Sequence, residues 1–411
     1  MSNCRINKCR LCKSKTLKKI FNFGKVSLGN NLQTKISESL VCNEYPLSLN
    51  RCNKCYHFQL SYSVDPKILY AKNYTYLSNT GSSFVKYLKK NSQNLIKKLS
   101  LKKKDFILDI GSNDGTALKF YQKKGMRVCG VDPALLPSRE ANKKKIFTYQ
   151  NFFTKKVVTK IIKKFGKANL IISHNTLAHV HNIHSIFKNI FLSTKNGGYF
   201  AFEVGYFKNV VEKNYFDTIY HEHLDYHHAN PLCNFLKEIG FSIYEITTNN
   251  MQGGSLKILC KKEKEIHITR QASRFLKNEK KSILYDENFF KKWDNLVKAK
   301  AKEINFFVKK NKDKSIYGYG APTKCVLLLK LSHLKNKEIR GIFEDNKLKV
   351  SKFLPKSKIR VFSSDLLPSI KIDYLIIFAW NFANDIITKL RKKNIKTKVV
   401  LPLPKLKIIN L

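Results

Sequence analysis

Four of the chain's eleven histidines fall within twelve residues, DTIYHEHLDYHH, Asp217 to His228. Tyr220, His221, Glu222 and His223 stand side by side there, with Tyr226, His227 and His228 just behind. Imidazole titrates near neutrality and can accept a proton. A neighbouring carboxylate orients a histidine, or becomes a base itself when burial raises its pKa. Tyrosine hydroxyls and a second histidine offer donors to a developing negative charge. The tetrad therefore holds the groups needed to take a proton from a carbon beside a carbonyl and to steady the oxyanion that results. Two other readings compete. His221, His223, His227 and His228 would serve as metal ligands, but their spacing is neither HExxH nor HxxEH. A solvated loop is the default for an isolated His-Glu-His. Against it stands position: the segment follows a strand carrying Glu203, Val204 and Tyr206, where a doubly wound sheet binds ligands.

Four of the ten cysteines form two pairs, Cys9-Arg-Leu-Cys12 and Cys52-Asn-Lys-Cys55. Paired CxxC knuckles predict a closed, tetrahedral four-thiolate zinc site, which supports structure and leaves no position for catalysis. Cys4 and Cys42 are out of register with the pairs.

The elements that must position the tetrad begin at DFILDIGSNDGTALKFYQKKGMRVCGVDP, Asp105 to Pro133. Phe106 to Ile110 reads as a buried parallel strand, Gly111 to Gly115 as a turn, Thr116 to Lys123 as a helix and Met126 to Val131 as a second strand. Asp132 ends that strand 21 residues beyond Gly111, where an acid binds ribose hydroxyls. The turn lacks the third glycine of a dinucleotide fingerprint. Asp109, Gly111, Asn113, Asp114 and Gly115 instead follow the class I methyltransferase pattern, in which the backbone approaches the amino acid end of S-adenosylmethionine. Ala168 to Ser173 is a third strand, followed by Asn175 and a polar tip. Tyr199 to Val204 is a fourth, with Glu203 at its end. His179 and His181 have the default reading of helix-surface residues.

A polar stretch, Glu265 to Lys312, is mostly helical, with Phe289, Trp293, Val297 and Ala301 on one face. Lys314 to Tyr317 then enters Gly318-Tyr-Gly320-Ala321, a strand-to-helix turn whose backbone N–H groups suit a phosphate. Ile342 to Asn346 and Ile376 to Asn381 are further strand ends, which bring Asp345, Asn346, Trp380 and Asn381 to the ligand edge. Lys324 is a candidate phosphate contact.

The chain's 411 residues imply more than one domain. The N-terminus lacks an apolar signal core and no apolar run is long enough to span a membrane, so a cytoplasmic protein is expected. The net charge of +49 invites a nucleic-acid reading. Yet ten arginines stand against 68 lysines (78 − 10 = 68), spread along the whole length, whereas nucleic-acid sites favour clustered arginine. Neither a nucleic-acid partner nor a protein partner is expected.

The CxxC pairs, DIGSNDGT, TLAHV, IYHEHL, Gly253-Gly254-Ser255, SIYGYGAPTK, IFEDNKLK and IIFAWN occur in one order along the chain. Together they resemble the sugar C-methyltransferases that act on dTDP-linked 4-keto sugars. The resemblance implies an α/β protein: a class I, Rossmann-like methyltransferase sheet flanked by a small zinc-binding domain and a C-terminal Rossmann-like α/β domain. The expected limits are 1–70, 71–264 and 265–411. It implies S-adenosylmethionine held by Asp109, Gly111, Asn113, Asp114, Gly115, Asp132, Asn175 and Glu203, and zinc held by Cys9, Cys12, Cys52 and Cys55. It implies a nucleotide-linked keto-sugar against Gly318, Gly320, Ala321, Lys324, Asp345, Asn346, Trp380 and Asn381. C3-methylation would proceed through an enolate, with His223 as base and Glu222, Tyr220 and His221 in support. One of Tyr74 and Tyr76 would face the sugar. Gln252 stands where the family has histidine, and Leu28-Gly29-Asn30-Asn31 where it has Pro-x-Ala-Asn. Methylation at a sugar oxygen or nitrogen is the alternative. A nucleic-acid-binding zinc protein with a degenerate methyltransferase fold is the rival from another class.

Overall fold

The structure of the protein is a computed structural model, which describes residues 3–70 and 77–411. Tyr74 and Tyr76 lie outside the described residues.

The apolar run FILDI forms the strand Phe106–Ile110, buried along its length at the centre of a seven-stranded sheet. Across that sheet the strands are Phe241–Asn249, Ser255–Lys262, Thr194–Gly205, Ala168–His174, Phe106–Ile110, Arg127–Asp132 and Thr148–Gln150. Neighbours from Thr194–Gly205 to Thr148–Gln150 run parallel, and Ser255–Lys262 runs antiparallel to both of its partners. The chain winds outward from Phe106–Ile110 through Arg127–Asp132 to Thr148–Gln150, then crosses back to Ala168–His174 on the other side. A crevice opens at the carboxyl ends where this direction reverses. The tip after Ala168–His174 is longer than the sequence pattern predicts, because the next helix begins only at Ile183, where Asn182 caps it by accepting from Ser185 N at 3.0 Å. His179 and His181 therefore sit in the tip and not on a helix surface.

The N-terminal region is a curled antiparallel sheet of Leu17–Ser27, Glu44–Cys52 and Phe58–Leu60. Its fourth strand, Asp225–Tyr226, comes from the middle of the chain and pairs with Phe58–Leu60. The histidine-rich segment is thus stitched into the zinc-binding region by backbone hydrogen bonds.

The C-terminal sheet runs Val361–Ser363, Ile342–Glu344, Ile316–Tyr319, Tyr374–Ile377, Lys398–Leu401 and Lys407–Asn410, parallel except for its last strand. The polar stretch before it divides. Helix Arg270–Glu279 follows Ile268, which bridges Ile243 of the central sheet, and Ala272 joins the core beneath that sheet. Helix Glu287–Lys310 starts at an Asp286 cap and buries Phe290, Trp293, Val297, Ala301, Ile304 and Val308 on one stripe, as a 3.6-residue period requires. Its first turns lie on the N-terminal sheet: Phe290 meets Phe58 with ring centroids 5.1 Å apart, and Trp293 meets Phe21 at 5.9 Å. One hydrophobic core consequently runs from Phe21 and Leu49 through Trp293 to Ile342 and Ile376. The loop after Leu17–Ser27 also reaches the C-terminal domain. Gly29 packs so closely on the backbone of Thr323 that a Cβ there would lie 2.1 Å from its carbonyl oxygen. Among the described residues no helix is long and apolar enough to cross a membrane.

Candidate active site

A cavity of about 1160 Å³ lies where the three regions meet. Single-ligand pockets run to about 1,000 Å³, so this one has room for two ligands. One end is formed by the glycine turn. Gly111 has φ +73°, and a Cβ on it would lie 2.0 Å from Thr176 Oγ1, so only glycine fits. Asn113 N donates to Asp132 Oδ2 at 2.9 Å and Ala134 N to Asp132 Oδ1 at 2.9 Å. Burial pushes the Asp132 carboxyl up to about 6 against those two hydrogen bonds. Asp109 is buried behind it and raised well above the carboxylate range, by burial first and then by the nearby Asp132. Asp109 Oδ1 lines the cavity region with no hydrogen-bond partner among the described residues. An orphaned carboxylate oxygen beside a cleft that a Cβ would fill fits the cationic amino acid end of S-adenosylmethionine. Asp132 lines the same end of the cavity. Asn175 completes this end, donating from Nδ2 to Gln252 Oε1 at 3.1 Å.

Three residues expected here do not reach the cavity. Asp114 accepts from Thr116 N at 3.3 Å and Thr116 Oγ1 at 2.7 Å, and pairs with Lys144 at 3.1 Å; it secures the helix start. Gly115, with φ +72°, is the cap of that helix and packs on Ile146. Glu203 does not line the cavity, and its carboxylate accepts from Tyr87 Oη.

Tyr220, Glu222 and His223 line the middle of the cavity. His223 Nδ1 donates to the Thr218 carbonyl at 3.3 Å, and its Nε2 lies 2.9 Å from Tyr220 Oη. Burial holds its pKa well below the usual value, helped by the neighbouring His179, so the ring is neutral. With Nδ1 donating, Nε2 is the basic atom. Glu222 Oε1 accepts from Asn30 Nδ2 at 3.1 Å, and burial pushes its carboxyl up to about 7. His221 does not line the cavity. It turns to the Tyr45 carbonyl at 3.2 Å and is corrected to a structural residue. Sequence reasoning missed His179, a half-buried cavity residue whose ring centroid lies 4.7 Å from that of His223 and whose Nδ1 donates to the Glu222 carbonyl at 2.9 Å. It missed Asn30, too, which reaches the site from 192 residues away in sequence.

The C-terminal domain closes the other end with Gly320, Lys324, Asp345, Asn346 and Asn381. Lys324 is buried; its Nζ donates to Asn381 Oδ1 at 2.9 Å and sits 3.4 Å over the Trp380 ring. Burial lowers its pKa to about 8, and the Asp217 charge opposes this. Trp380 stands behind the wall, stacked on Tyr215 with centroids 4.1 Å apart and donating to Asp217 at 2.7 Å. The expected phosphate turn is corrected. Ala321 N donates to Glu344 Oε2 at 2.8 Å, so an internal carboxylate holds the N–H that a phosphate would need. Gly318 is packed against Phe378 and Ile342 and does not reach the cavity. Lys349, not singled out from sequence among so many lysines, is half-buried in the cavity wall and donates to the Ala321 carbonyl at 2.9 Å.

Away from the cavity, the four Sγ atoms of Cys9, Cys12, Cys52 and Cys55 lie within 4.8 Å of one another. Cys9 and Cys55 are 3.6 Å apart, as are Cys12 and Cys52. Tetrahedral zinc thiolates, with bonds of about 2.3 Å, have sulfurs roughly 3.8 Å apart, so the set fits zinc. Among the described residues this is the one cluster that could hold a metal, and the histidine segment is not one.

Three family models match the chain in succession: a zinc binding domain over residues 9–70, a methyltransferase domain over 84–246 and the C-methyltransferase C-terminal domain over 250–404. The chain belongs to the S-adenosylmethionine-dependent C-methyltransferases built from these three parts, with a structural zinc site. It is similar to C-methyltransferase NovU of Streptomyces niveus, at 28% identity over 413 residues, covering 98% of this chain and 97% of that protein. Similar solved structures include a methyltransferase from Archaeoglobus fulgidus, 14% identical, covering 43% of this chain and 94% of that chain, with TM-score 0.35. Another is the magnesium protoporphyrin IX methyltransferase of Synechocystis PCC 6803 with bound S-adenosylmethionine, 14% identical, covering 43% and 79%, with TM-score 0.33.

Proposed function

We propose that the protein methylates C3 of a nucleotide-linked 4-keto-deoxy sugar, dTDP-linked by the sequence resemblance, through an enolate. The observation that carries this reading is the single cavity in which Tyr220, Glu222 and His223 share space with Asp109, Gly111 and Asp132. Bound at the glycine turn, S-adenosylmethionine supplies an electrophilic methyl on a sulfonium leaving group. His223 Nε2 takes the proton from the carbon beside the ketone, and the C–H electron pair moves to make the enolate. The substrate displaces the Tyr220 hydroxyl from Nε2, and that hydroxyl donates to the enolate oxygen. With S-adenosylmethionine held at the glycine turn, the enolate carbon would take its methyl, the new C–C bond forming as the methyl–sulfur bond breaks. Alignment of the two carbons in one cavity is worth ~7–11 kcal/mol of barrier. Lys324 and Lys349 place positive charge where the sugar's diphosphate would lie.

One observation favours a second assignment of the base. Glu222, at about 7, is better matched to neutral pH than an imidazole held well below its usual value. The test of the reaction is incubation with S-adenosylmethionine and a dTDP-4-keto-6-deoxy sugar, followed by carbon NMR of the product. A new methyl bonded to carbon is expected, and a methyl bonded to oxygen or nitrogen overturns the assignment. In deuterated water without the methyl donor, only C-methylation predicts exchange at the α-carbon.

A further inference from the structure

Arg10 stands between the two cysteines of the first zinc knuckle, and every polar part of it is engaged. Its backbone N donates to Gln59 Oε1 at 2.7 Å, and its carbonyl accepts from His184 Nε2 at 3.0 Å. Its guanidinium, 9% exposed, forks in three directions: Nε to Asp225 Oδ1 at 2.8 Å, Nη1 to the His181 carbonyl at 3.0 Å and Nη2 to the Val180 carbonyl at 2.5 Å. His57, two residues beyond Cys55, places Nε2 on the same Asp225 oxygen at 2.9 Å, with both side chains fully buried. Burial alone would raise the Asp225 carboxyl. The Arg10 charge, with the His57 hydrogen bond, offsets that and holds it well below the carboxylate range.

The two segments gripped this way carry the reacting groups. Asp225 lies two residues after His223 and opens the strand that pairs with Phe58–Leu60. Val180 and His181 follow His179. Between them, Leu224 N donates to the Ala178 carbonyl at 2.8 Å, and Leu60 N to the Leu224 carbonyl at 2.9 Å. A planar guanidinium reaches a carboxylate and two carbonyls at once, which an ammonium cannot do with the same geometry.

We infer that Arg10 is a positioning residue: held by the zinc-binding knuckle, its guanidinium locks Asp225 to the Val180–His181 turn and so keeps Glu222, His223 and His179 in register across the cavity. The zinc site then serves the reaction at a distance, by fixing the root of this lock. That Glu222 and His223 are the reacting groups rests on the function proposed above; the lock itself does not.

The experiment compares Arg10→Lys, Asp225→Asn and Arg10→Ala with the full-length parent chain. Zinc content by metal analysis is expected to stay at the parent's level, and S-adenosylmethionine affinity by calorimetry to stay within about twofold. Amide hydrogen exchange is expected to rise locally in 178–182 and 222–226 and to stay unchanged in the central strands. With a turning-over substrate, kcat falls ~10- to 100-fold at unchanged KM, as a misplacement of about 1 Å costs. Added guanidinium ion restores part of the turnover of Arg10→Ala and none of that of Asp225→Asn. Unchanged exchange in both segments for Arg10→Lys and Asp225→Asn overturns the proposal. So does loss of zinc and of the whole fold in all three variants, which would make Arg10 a folding residue. The exchange measurement needs no substrate, so a wrong sugar assignment leaves it decisive.

Discussion

Tyr220 Oη lies 2.9 Å from His223 Nε2, while Nδ1 of the same ring faces the Thr218 carbonyl at 3.3 Å. The carbonyl selects the tautomer, so the basic nitrogen is the one that a phenol covers. On the proposed mechanism the base and the oxyanion donor are held against each other and part when a ketone enters.

Replacing His223 by alanine removes the proton acceptor and leaves the glycine turn untouched. Turnover is expected to fall ~10²- to 10⁴-fold, the usual worth of a general base. S-adenosylmethionine affinity, read by calorimetry, should stay near the parent's. Equal loss of both would make His223 a structural residue.

The pH profile separates the two candidate bases. A neutral imidazole held well below its usual value is ready at all pH values near 7, so with His223 as base the rate is flat between about pH 6 and 8. With Glu222 as base the rate climbs through about 7 as the carboxyl ionises, and Glu222→Gln abolishes the climb. Stability gives a check that needs no substrate. Burial raises Glu222 in the folded protein, so its contribution to stability is fully present below the ordinary glutamate range, about 4.3, and is lost as pH rises through about 7. Glu222→Gln should therefore gain in melting temperature relative to the parent above pH 7, with the gap closing toward pH 5.

Much of this was legible in the sequence, where a local rule fixed the structure. FILDI followed by Gly111 fixed both a strand and the turn beyond it, because only a buried strand reads that way and only glycine passes Thr176. The CxxC pairs fixed the zinc ligands by spacing alone. What escaped was decided by long-range contact. Glu203 lies two residues inside a strand that runs on to Gly205, and its carboxylate is taken by Tyr87, a partner from a distant helix that no local pattern announces. The Gly318–Ala321 turn has the right glycines for a phosphate, but Glu344, on the next strand, fills it. Asn30 and Lys349 come from opposite ends of the chain and meet the site only through the packing of three regions. His179 was visible as a residue; its place in the cavity wall came from the length of the tip before Ile183.

Gly111→Ala tests the cofactor end. The new methyl would meet Thr176 Oγ1 at 2.0 Å and would sit at φ +73°, a conformation costly for any residue with a Cβ. S-adenosylmethionine affinity is expected to drop at least ~10-fold, which corresponds to about 1.4 kcal/mol. Adding Thr176→Ala removes the contacts with Oγ1 and Cγ2 but leaves the residue 176 Cβ 2.7 Å from the new methyl, and the backbone strain stays, so the double variant should recover only part of the loss in calorimetry. Full recovery would mean that the turn tolerates a Cβ and that steric contact alone shapes it.

Zinc removal tests the other pillar of the site. Four sulfurs gathered within 4.8 Å fit a zinc ion that would bind them as thiolates and tie the two knuckles together. Metal analysis should give one zinc per chain, and Cys52→Ala should reduce this to near zero. The loss should not stop at the knuckles. The sheet built on Glu44–Cys52 and Phe58–Leu60 carries Asp225–Tyr226 as its last strand, and the same sheet shares a core with Trp293 and the C-terminal domain. Chelation is therefore expected to lower the melting temperature by several degrees, in keeping with a loss of a few kcal/mol in a chain of this size. It should also bring down S-adenosylmethionine-independent solvent exchange at the substrate α-carbon. The central strands Phe106–Ile110 and Ala168–His174 draw their partners from within the seven-stranded sheet, so their amide protection should survive. If chelation left melting temperature and α-carbon exchange unchanged, the four cysteines would be packing residues and the knuckles would hold their shape without a metal.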